Sequence, residues 1–353
     1  MWAVPDDGRR HVVNLRSSGR LATAALYGGG GLGVLGGVFY GLVKIQAKLV
    51  RSAIGPAESA PPAPDGSYCT DLPGEPISLL MLGDSAAAGY GMTAAQETPG
   101  ALMARGLAQL TNRPVHVISR AFVGARSADL DAQIVAGIDA VSPDVAVIVI
   151  GTNDVTHSVR PADAVRMLGA AVRRLRRSGC EVVVGTCPDL GTIDHIAPPL
   201  RQLARLYCRR MAAAQTITTI EAGGRSVSLG QLLGHKFAAA PTELFGADRF
   251  HPSLAGYASM VAAMLPTVAV ALNVWDPDDD PPDDLLGEFA LPVSFAAAEA
   301  ADVAGTEVSP TRVQGRERGP RGRWAQVRHR RRANVPDPAD PDLSATHLGG
   351  AGI

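Results

Sequence analysis

Short apolar runs alternate with longer stretches of helical periodicity between residues 77 and 272. An apolar run of about four to eight residues between turn residues is typical of a buried strand, and a longer stretch with one apolar face is typical of an amphipathic helix. The predicted strands are Ile77–Leu82, Val115–Ile118, Val145–Ile150, Glu181–Gly185 and Ile217–Ile220. The predicted helices are Gly100–Leu110, Ser127–Ala140, Pro161–Arg176, Pro198–Ala214 and Ser253–Leu272.

This alternation of strands and helices indicates βαβ crossovers, which generate a mainly parallel sheet. We therefore expect an α/β fold, a three-layer α/β/α sandwich in which a mainly parallel five-stranded sheet lies between two layers of helices. The domain is expected to span residues 77–274, which is ample length for one core. Ser127 and Ser253 begin two of the predicted helices, and serine is a favourable N-cap residue.

The amino-terminal segment, residues 1–51, is basic and contains 23 consecutive residues without a charged side chain, Leu21–Val43. A helix of that length crosses a hydrocarbon core of about 30 Å, so the pattern predicts a membrane anchor. Basic residues separate this run from the small residues Ser52 and Ala53, which disfavours a cleaved signal peptide. We expect a membrane-anchored protein whose globular domain lies outside the cytoplasm, in the cell envelope. Secretion after signal cleavage is the alternative.

The run Gly31-Leu-Gly33-Val-Leu-Gly36 has the spacing of a dinucleotide-binding fingerprint. Neither a βαβ unit nor an acidic residue about twenty positions later accompanies it, so we reject a nucleotide cofactor. Small residues recur at positions 25, 29, 33, 37 and 41. On a helix they would form one smooth ridge, which favours close contact between membrane helices. Self-association through this ridge is one interpretation, and a merely glycine-rich anchor is the other.

Two further segments lack periodicity. Residues 52–76 are rich in Pro, Ala, Gly and Ser, which predicts a flexible linker. Residues 275–353 begin with the acidic run Asp276–Asp284 and continue with nine arginines between Arg312 and Arg332. This composition predicts a disordered tail. Its basic part could lie on anionic lipid, bind nucleic acid without specificity, fold back onto the acidic run or remain solvated.

The composition of the whole chain excludes some partners. The formal net charge of the 353 residues is −1, so no overall field favours nucleic acid and none is expected as a partner. The four cysteines, at positions 69, 180, 187 and 208, have neither a CxxC pair nor zinc-like spacing. Cys180 and Cys187 bracket a predicted strand and are too far apart to pair. We expect free buried thiols and no metal, and pairing of Cys187 with Cys208 stays open.

Candidate reactive residues follow the ends of the predicted strands, where open α/β sheets bind ligands. Ser85 would be a nucleophile, and it needs a base such as His251 to accept its proton. Asp248, three residues before the histidine, would orient the imidazole. The side chain of Asn153 and the backbone N–H groups of Gly124 and Ser85 would bind an oxyanion. The set predicts hydrolysis of an acyl ester through an acyl-enzyme on Ser85, although a serine at this position could also merely cap a helix.

These residues lie in four short blocks, Gly83-Asp84-Ser85, Gly124, Gly151-Thr152-Asn153-Asp154 and Asp248-x-x-His251. In this order the blocks resemble those of the SGNH (GDSL-type) hydrolases, over about residues 77–272. The resemblance implies a flavodoxin-like α/β/α fold with neither metal nor cofactor. It gives Ser85 the role of nucleophile, His251 and Asp248 those of base and orienting acid, and Gly124 and Asn153 the oxyanion site. The second block lacks the asparagine that often precedes its glycine.

The resemblance implies an esterase, lipase, thioesterase or carbohydrate deacetylase. We favour a serine esterase for acyl esters with short-to-medium chains, including lipid and cell-envelope esters. One alternative is O-acyl transfer or deacetylation on envelope glycans at the same site. The other is a non-catalytic, anchored binding module. The expected partners are a small-molecule or lipid ester and, through the anchor, the membrane.

Overall fold

The computed structural model describes residues 37–49, 52, 59–138, 142–193, 196–230, 241–274, 289–313, 315–319, 322–330, 332–337 and 345–346. The chain divides into two units, Met1–Arg51 and Ser52–Ile353. In the first unit, residues 37–49 form helix α1, on which Val38 and Tyr40 are 65% and 63% exposed. The predicted anchor Leu21–Val43 and its glycine ridge lie outside the described residues, except for the part from 37 to 43.

The second unit is built on a mixed sheet. Its strands are β1 (Gly66–Tyr68), β2 (Ile77–Gly83), β3 (Val115–Ser119), β4 (Val145–Val149), β5 (Glu181–Gly185), β6 (Arg225–Val227), β7 (Phe289–Pro292), β8 (Thr306–Thr311), β9 (Arg318–Gly319), β10 (Gly322–His329) and β11 (Ala345–Thr346). Its helices are α2 (Ser85–Ala88), α3 (Pro99–Thr111), α4 (Leu130–Ile138), α5 (Thr152–Thr156), α6 (Pro161–Arg177), α7 (Leu200–Glu221), α8 (Pro241–Leu244), α9 (Leu254–Ala271) and α10 (Val293–Asp302).

The strands lie in the order β11-β1-β3-β2-β4-β5-β6-β8-β10-β7, and β9 pairs with β10. The five central strands, β3-β2-β4-β5-β6, are parallel as predicted. The prediction of five strands in all is wrong, because the described sheet has eleven. Strands β1 and β8 pair antiparallel with the two sides of the parallel centre. The central order is the flavodoxin-like order 2-1-3-4-5, in which ligands bind where the order reverses. Here that point lies between the ends of β2 and β4.

The central strands are apolar on both faces because helices cover both. Along β2, Leu79 and Met81 pack in one cluster with residues of α3 and α9. Leu80 and Leu82 pack in a second cluster with residues of α4 and α6. Continuous apolar runs of this kind are typical of parallel strands buried on both sides. The result is the predicted three-layer α/β/α sandwich.

Helix α9 is long and apolar enough to cross a membrane, and it is the one described helix that meets these criteria. However, 72% of it is buried within the molecule, and residues such as Leu265 and Val268 belong to the core cluster beside the sheet. Its apolar character is therefore explained by its place in the core.

One predicted strand is wrong. Ile217–Ile220 lies inside helix α7, and the fifth parallel strand is β6. The four β-branched residues continue the amphipathic pattern of the helix, because Thr219 and Ile220 are buried while the two before them are half-buried. Strand β6 has only three residues and begins with an arginine, so no apolar run marked it.

The prediction of a disordered tail at 275–353 is wrong for β7, α10, β8 and β10. Strand β8 pairs with β6, and β10 and β7 follow it in the sheet. Glu307 of β8 is fully buried and pairs with Arg225 at 3.0 Å and with Arg330. Charges that seemed to require solvent instead neutralise one another inside the fold. The acidic run Asp276–Asp284 lies outside the described residues.

The predicted linker at 52–76 also contributes to the sheet. Its residues 66–68 form β1, which pairs with β3, and the buried Tyr68 donates a hydrogen bond from its hydroxyl to the carbonyl of Pro64 at 2.9 Å. The structured region therefore begins before the predicted boundary at residue 77.

Residues 332–337 cross one helical layer of the sandwich. The N–H of Ala333 donates to the carbonyl of Ala262 on α9 at 3.0 Å, and Ala333 and Val335 pack against the core. The buried guanidinium of Arg105 on α3 donates to the carbonyl of Asp337. Beyond this crossing, β11 pairs with β1 at the other side of the sheet.

Candidate active site

Three of the predicted residues meet at the carboxyl end of the parallel strands. Ser85 is the first residue of α2, separated from the end of β2 by Asp84 alone, and Asp248 and His251 precede α9. His251 Nε2 lies 3.0 Å from Ser85 Oγ, and His251 Nδ1 lies 2.6 Å from Asp248 Oδ2. A hydroxyl, an imidazole and a carboxylate connected in this order allow a proton to pass from the serine to the histidine.

Asp84, rather than Ser85, caps helix α2. Its Oδ1 accepts the N–H of Ala86 at 3.0 Å. Burial raises the pKa of Asp84 to about 7, against the lowering effects of that hydrogen bond and of the charge of His251. Because the cap is supplied by its neighbour, the Ser85 hydroxyl is directed to the histidine and not to the helix end.

The Asp248 carboxylate is fixed by the backbone of its own turn. Its Oδ1 accepts the N–H groups of Phe250 and His251, each at 3.0 Å. Burial favours the neutral acid, but the hydrogen bonds from the His251 ring and these two N–H groups outweigh it and hold the pKa of Asp248 below its ordinary value. The carboxylate is thus charged at neutral pH and can stabilise a protonated imidazole.

The end of β2 requires glycine before the serine. Gly83 has φ of +135°, and a Cβ there would lie 1.9 Å from the carbonyl oxygen of Val149 on β4. The side chain of Gln133 on α4 donates to the Gly83 carbonyl at 2.9 Å and accepts the Gly83 N–H at 2.8 Å. Ser85 therefore projects from a backbone that is clamped on both sides.

A second buried glutamine fixes the ends of β4 and β5. Gln215 on α7 donates to the carbonyl of Ile150 at 2.8 Å and accepts the N–H of Cys187 at 2.7 Å. Sequence reasoning missed both Gln133 and Gln215, because no motif contains them. The available signal was a long polar side chain on a helix face that is otherwise apolar.

Two of the residues predicted to bind an oxyanion, Gly124 in a turn and Asn153 in α5, lie in segments that contact each other. Gly124 has φ of +87° in the turn that Phe122 and Ala125 close by a backbone hydrogen bond of 3.3 Å, a position that favours glycine. Open space adjoins it. Asn153 Nδ2 donates to the carbonyl of Ala125 at 3.1 Å, so the amide is held against the Gly124 turn.

Asp154 further connects α5, which carries Asn153, with the segment that follows Gly124. It is fully buried, and its Oδ2 accepts the hydroxyl of Ser127 at 2.7 Å and the Ser127 N–H at 3.1 Å. Burial raises the pKa of Asp154 against these hydrogen bonds. The prediction that Ser127 caps a helix is therefore wrong, because its hydroxyl serves Asp154. Ser253 is confirmed as the N-cap of α9, accepting the N–H of Gly256 at 3.3 Å.

An apolar cleft opens to solvent beside Ser85 and His251. Its remaining lining residues are Ala86, Val149, Thr152, Pro188, Leu190, Ile193, Leu229, Phe250, Pro252 and Met260. Most of these come from the loops that follow β5 and β6 and from the turn that carries His251. The cleft can hold an apolar chain attached to a carbonyl at Ser85.

Two of the remaining histidines hydrogen bond with residues outside the Ser85–His251–Asp248 chain. His116 hydrogen bonds with Ser67 at 3.0 Å, and His157 with the carbonyl of Asn153 at 2.8 Å. Within the described part of the chain, no three His, Cys, Asp or Glu side chains form a group that could hold a metal ion. The four cysteines are free and buried. Cys187 and Cys208 are neighbours, and a hydrogen bond from the Cys187 thiol to Cys208 is the largest cause of the raised pKa of Cys187, followed by burial.

The chain is similar in sequence to proteins of one known family. The profile of the GDSL-like Lipase/Acylhydrolase family matches residues 81–259, which include Ser85, Gly124, Asn153 and His251. The GDSL-like esterase Rv1075c of Mycobacterium tuberculosis is 42% identical over 256 residues, or 68% of this chain and 80% of the relative.

Solved structures of low sequence identity also align with the chain. TesA is 21% identical, with a TM-score of 0.43, over 55% of this chain and 99% of its own. A catalytic mutant of Axe2, an acetylxylan esterase from Geobacillus stearothermophilus, is 19% identical, with a TM-score of 0.44, over 57% of this chain and 95% of its own.

Proposed function

The chain belongs to the GDSL-like lipase and acylhydrolase family and is a carboxylic ester hydrolase, and from this premise we propose that it works through an acyl-enzyme on Ser85. The observation that carries the proposal is the continuous chain from Ser85 Oγ through His251 to Asp248, with distances of 3.0 and 2.6 Å. Family membership also sets aside the alternative of a non-catalytic binding module.

In the proposed reaction, His251 Nε2 accepts the hydroxyl proton as Ser85 Oγ bonds to the ester carbonyl carbon. The N–H groups of Ser85 and Gly124 and the amide of Asn153 donate to the resulting oxyanion. The tetrahedral intermediate expels the alcohol, which takes the proton from His251, and leaves the acyl group on Ser85. Water then repeats the sequence, with His251 as base and Asp248 stabilising its protonated form.

The proposed substrates are esters with short-to-medium apolar acyl chains, among them lipid and cell-envelope esters. The apolar lining of the cleft beside Ser85, including Leu190, Leu229 and Met260, supports this class, because such a surface favours an alkyl chain over a charged group. A series of p-nitrophenyl esters of increasing chain length would locate the preferred length as a maximum in kcat/KM.

We also propose that Leu21–Val43 anchors the enzyme in a membrane, with the hydrolase unit outside the cytoplasm. The support is the length of the uncharged run. Association of two anchors through the small residues at positions 25, 29, 33, 37 and 41 belongs to the same proposal. Detergent-dependent extraction of the full chain, with loss of this dependence on deleting residues 21–43, would support the anchor.

Substitution of the nucleophile tests the mechanism. The full chain should hydrolyse p-nitrophenyl butyrate, and Ser85→Ala should lower kcat/KM by at least about 10⁴-fold. The matched control is Ser178→Ala, at an exposed turn after α6, which should retain full activity. A fluorophosphonate probe should label the parent and the control but not the Ser85 variant. Equal turnover by the Ser85→Ala enzyme would refute the acyl-enzyme, and product analysis with an added alcohol would separate acyl transfer from hydrolysis.

A further inference from the structure

A second cavity lies at the opposite end of the parallel strands from Ser85. It is bounded by the last turns of α6 and α7, by β8 and β10 and by the segment between these strands, and its volume is about 530 Å³. Helix α6 leads into β5 and helix α7 leads into β6. The ends of these helices therefore lie where parallel strands begin, whereas Ser85 and Asn153 follow the points where strands end.

Basic side chains dominate the lining of this arginine cavity. The lining residues are Arg173, Arg176, Arg177, Glu221, Ala222, Gly223, Pro310, Thr311, Arg312, Glu317, Arg323 and Trp324. Five arginines thus stand against two glutamates. Three of the arginines belong to α6, Arg312 follows β8 and Arg323 lies in β10, so the positive charge is assembled by the fold from distant parts of the chain.

Three of these guanidinium groups have partners within the fold. Arg176 pairs with Glu181, and Arg312 pairs with Glu317 at 2.6 Å. Arg323 donates to two carbonyls in the last turn of α7, although its Nε–H is buried without a partner among the described residues. Charge and hydrogen bonding from Arg312 lower the pKa of Glu317, and Arg323 and Arg318 add to this effect.

The other two guanidinium groups, those of Arg173 and Arg177, make no hydrogen bond or ion pair with the described residues, and both side chains are exposed. Favourable interaction with the helix dipole accounts for basic residues at the end of α6. It does not account for their convergence with Arg312, which follows β8. Like charges gathered at one cavity repel one another, and a bound anion offsets that repulsion.

We propose that the arginine cavity binds a phosphate ester, with Arg173 and Arg177 donating to the phosphate oxygens and the organic part lying along Trp324. Guanidinium groups bind phosphate by paired, charge-assisted hydrogen bonds. The cavity is far larger than a phosphate group, and the half-buried indole of Trp324 offers a flat apolar wall. A phospholipid headgroup and a free phosphate monoester share this chemistry, and the site is separate from the ester-hydrolysing one.

Two binding measurements on the full chain distinguish these sources. Calorimetric titration with glycerol 3-phosphate reports a free phosphate ester, and co-sedimentation with phosphatidylglycerol vesicles, compared with phosphatidylcholine vesicles, reports a lipid headgroup. In whichever of these two measurements the parent binds, the double variant Arg173→Gln, Arg177→Gln should lower the affinity by at least about tenfold. The double variant Arg166→Gln, Arg210→Gln removes the same charge from exposed positions of α6 and α7 outside the cavity and should bind like the parent.

The activity of the double variants and the affinity of a charge-conserving variant test the proposal further. Both double variants should retain the kcat/KM of the parent for p-nitrophenyl butyrate, which also shows that they are folded. Arg173→Lys with Arg177→Lys keeps the charge but loses the paired donors, so its affinity should be intermediate. Equal loss of binding in the cavity variant and the control would indicate a nonspecific charge effect and overturn the proposal, as would the absence of binding in both arms.

Discussion

The central parallel strands and the carboxyl-terminal strands belong to one sheet but are stabilised by different means. Strands β2 and β4 carry apolar side chains on both faces, and two apolar clusters enclose them. In β8, by contrast, the buried Glu307 accepts hydrogen bonds from Arg225 at 3.0 Å, from Thr267 at 3.1 Å and from Arg330. The parallel centre, β2 to β6, is stabilised by apolar burial. The carboxyl-terminal strands β7, β8 and β10, called the extension below, are stabilised also by a buried charge that has charged partners.

This difference separates two properties of the enzyme. The catalytic residues project from the ends of the apolar strands, so their substitution should change activity while the fold persists. No described residue of the extension lines the cleft beside Ser85, so disruption of its charge cluster should lower stability while the intrinsic chemistry persists. Substitutions in the two regions therefore test whether activity and stability depend on different parts of the sheet.

The largest effect is expected from Asp248→Asn. The amide would present a donor to His251 Nδ1 and favour the wrong tautomer, which should lower kcat by about 10⁴-fold. The midpoint of thermal unfolding should change far less than the activity, because the asparagine keeps an Oδ1 acceptor for the N–H groups of Phe250 and His251. Steady-state kinetics and a melting curve on the same preparation check both statements. Activity within tenfold of the parent would mean that Asp248 does not orient the base.

The next effect, on stability, is expected from Glu307→Gln. Glu307 is fully buried and pairs with Arg225 and Arg330, and breaking a buried ion pair by removing one charge costs about 3–5 kcal/mol. Urea denaturation measures this loss in the free energy of unfolding. Glu317→Gln is the control, since its ion pair with Arg312 is exposed and its removal should leave stability unchanged. If the two variants are equally stable, the extension does not depend on the buried charge.

Asn153→Ala tests the oxyanion site, which lies at the ends of the apolar central strands. Loss of one preorganised donor typically lowers kcat by about 10²–10³-fold. The substitution also removes the hydrogen bond to the Ala125 carbonyl, so the unfolding midpoint is measured in parallel. A fall in kcat at constant KM is the expected pattern. A change in KM alone would assign Asn153 to ester binding.

The smallest effect is a pH dependence of stability centred on Asp84. Because its folded pKa is raised to about 7, the native state loses stability as pH rises from about 4 towards 7, where the unfolded carboxyl is already ionised. Asp84→Asn keeps a good N-cap residue and removes this loss. The variant should thus gain on the order of 1 to 3 kcal/mol relative to the parent above pH 7, and nothing near pH 4.

Denaturation series at several pH values measure this difference. Asp248 has the opposite sign, because its lowered pKa contributes stability that is lost as pH falls through the folded pKa. A difference between Asp84→Asn and the parent that does not grow with pH would contradict the assignment.

The sequence predicts the structure correctly where the residues of an element are explained by that element alone. Strand β5 has the predicted bounds, Glu181–Gly185, because an apolar run buried on both faces needs no distant partner to identify it. The four blocks with Ser85, Gly124, Asn153 and His251 could be found because catalysis restricts residue type and order. Their convergence between the ends of β2 and β4 follows from the parallel topology.

The failures have a common physical cause, which is dependence on distant partners. Glu307 looks like a solvent-facing residue until Arg225 and Arg330 are brought beside it. Gln133 and Gln215 look like ordinary polar helix residues until their amides reach the backbone at the strand ends. Residues of β10 alternate in burial, but arginines between them concealed the alternation and favoured the prediction of disorder.

The crossing of residues 332–337 over α9 and α3 has a consequence for synthesis. Arg105 and the carbonyl of Asp337 are 232 positions apart in the chain, and contacts between such distant residues slow folding. The carbonyl of Asp337 leaves the ribosome 232 residues after Arg105 does. The parallel centre can collapse earlier on the nascent chain, whereas the helical layer that holds α3 and α9 is completed only after residues 332–337 have been synthesised.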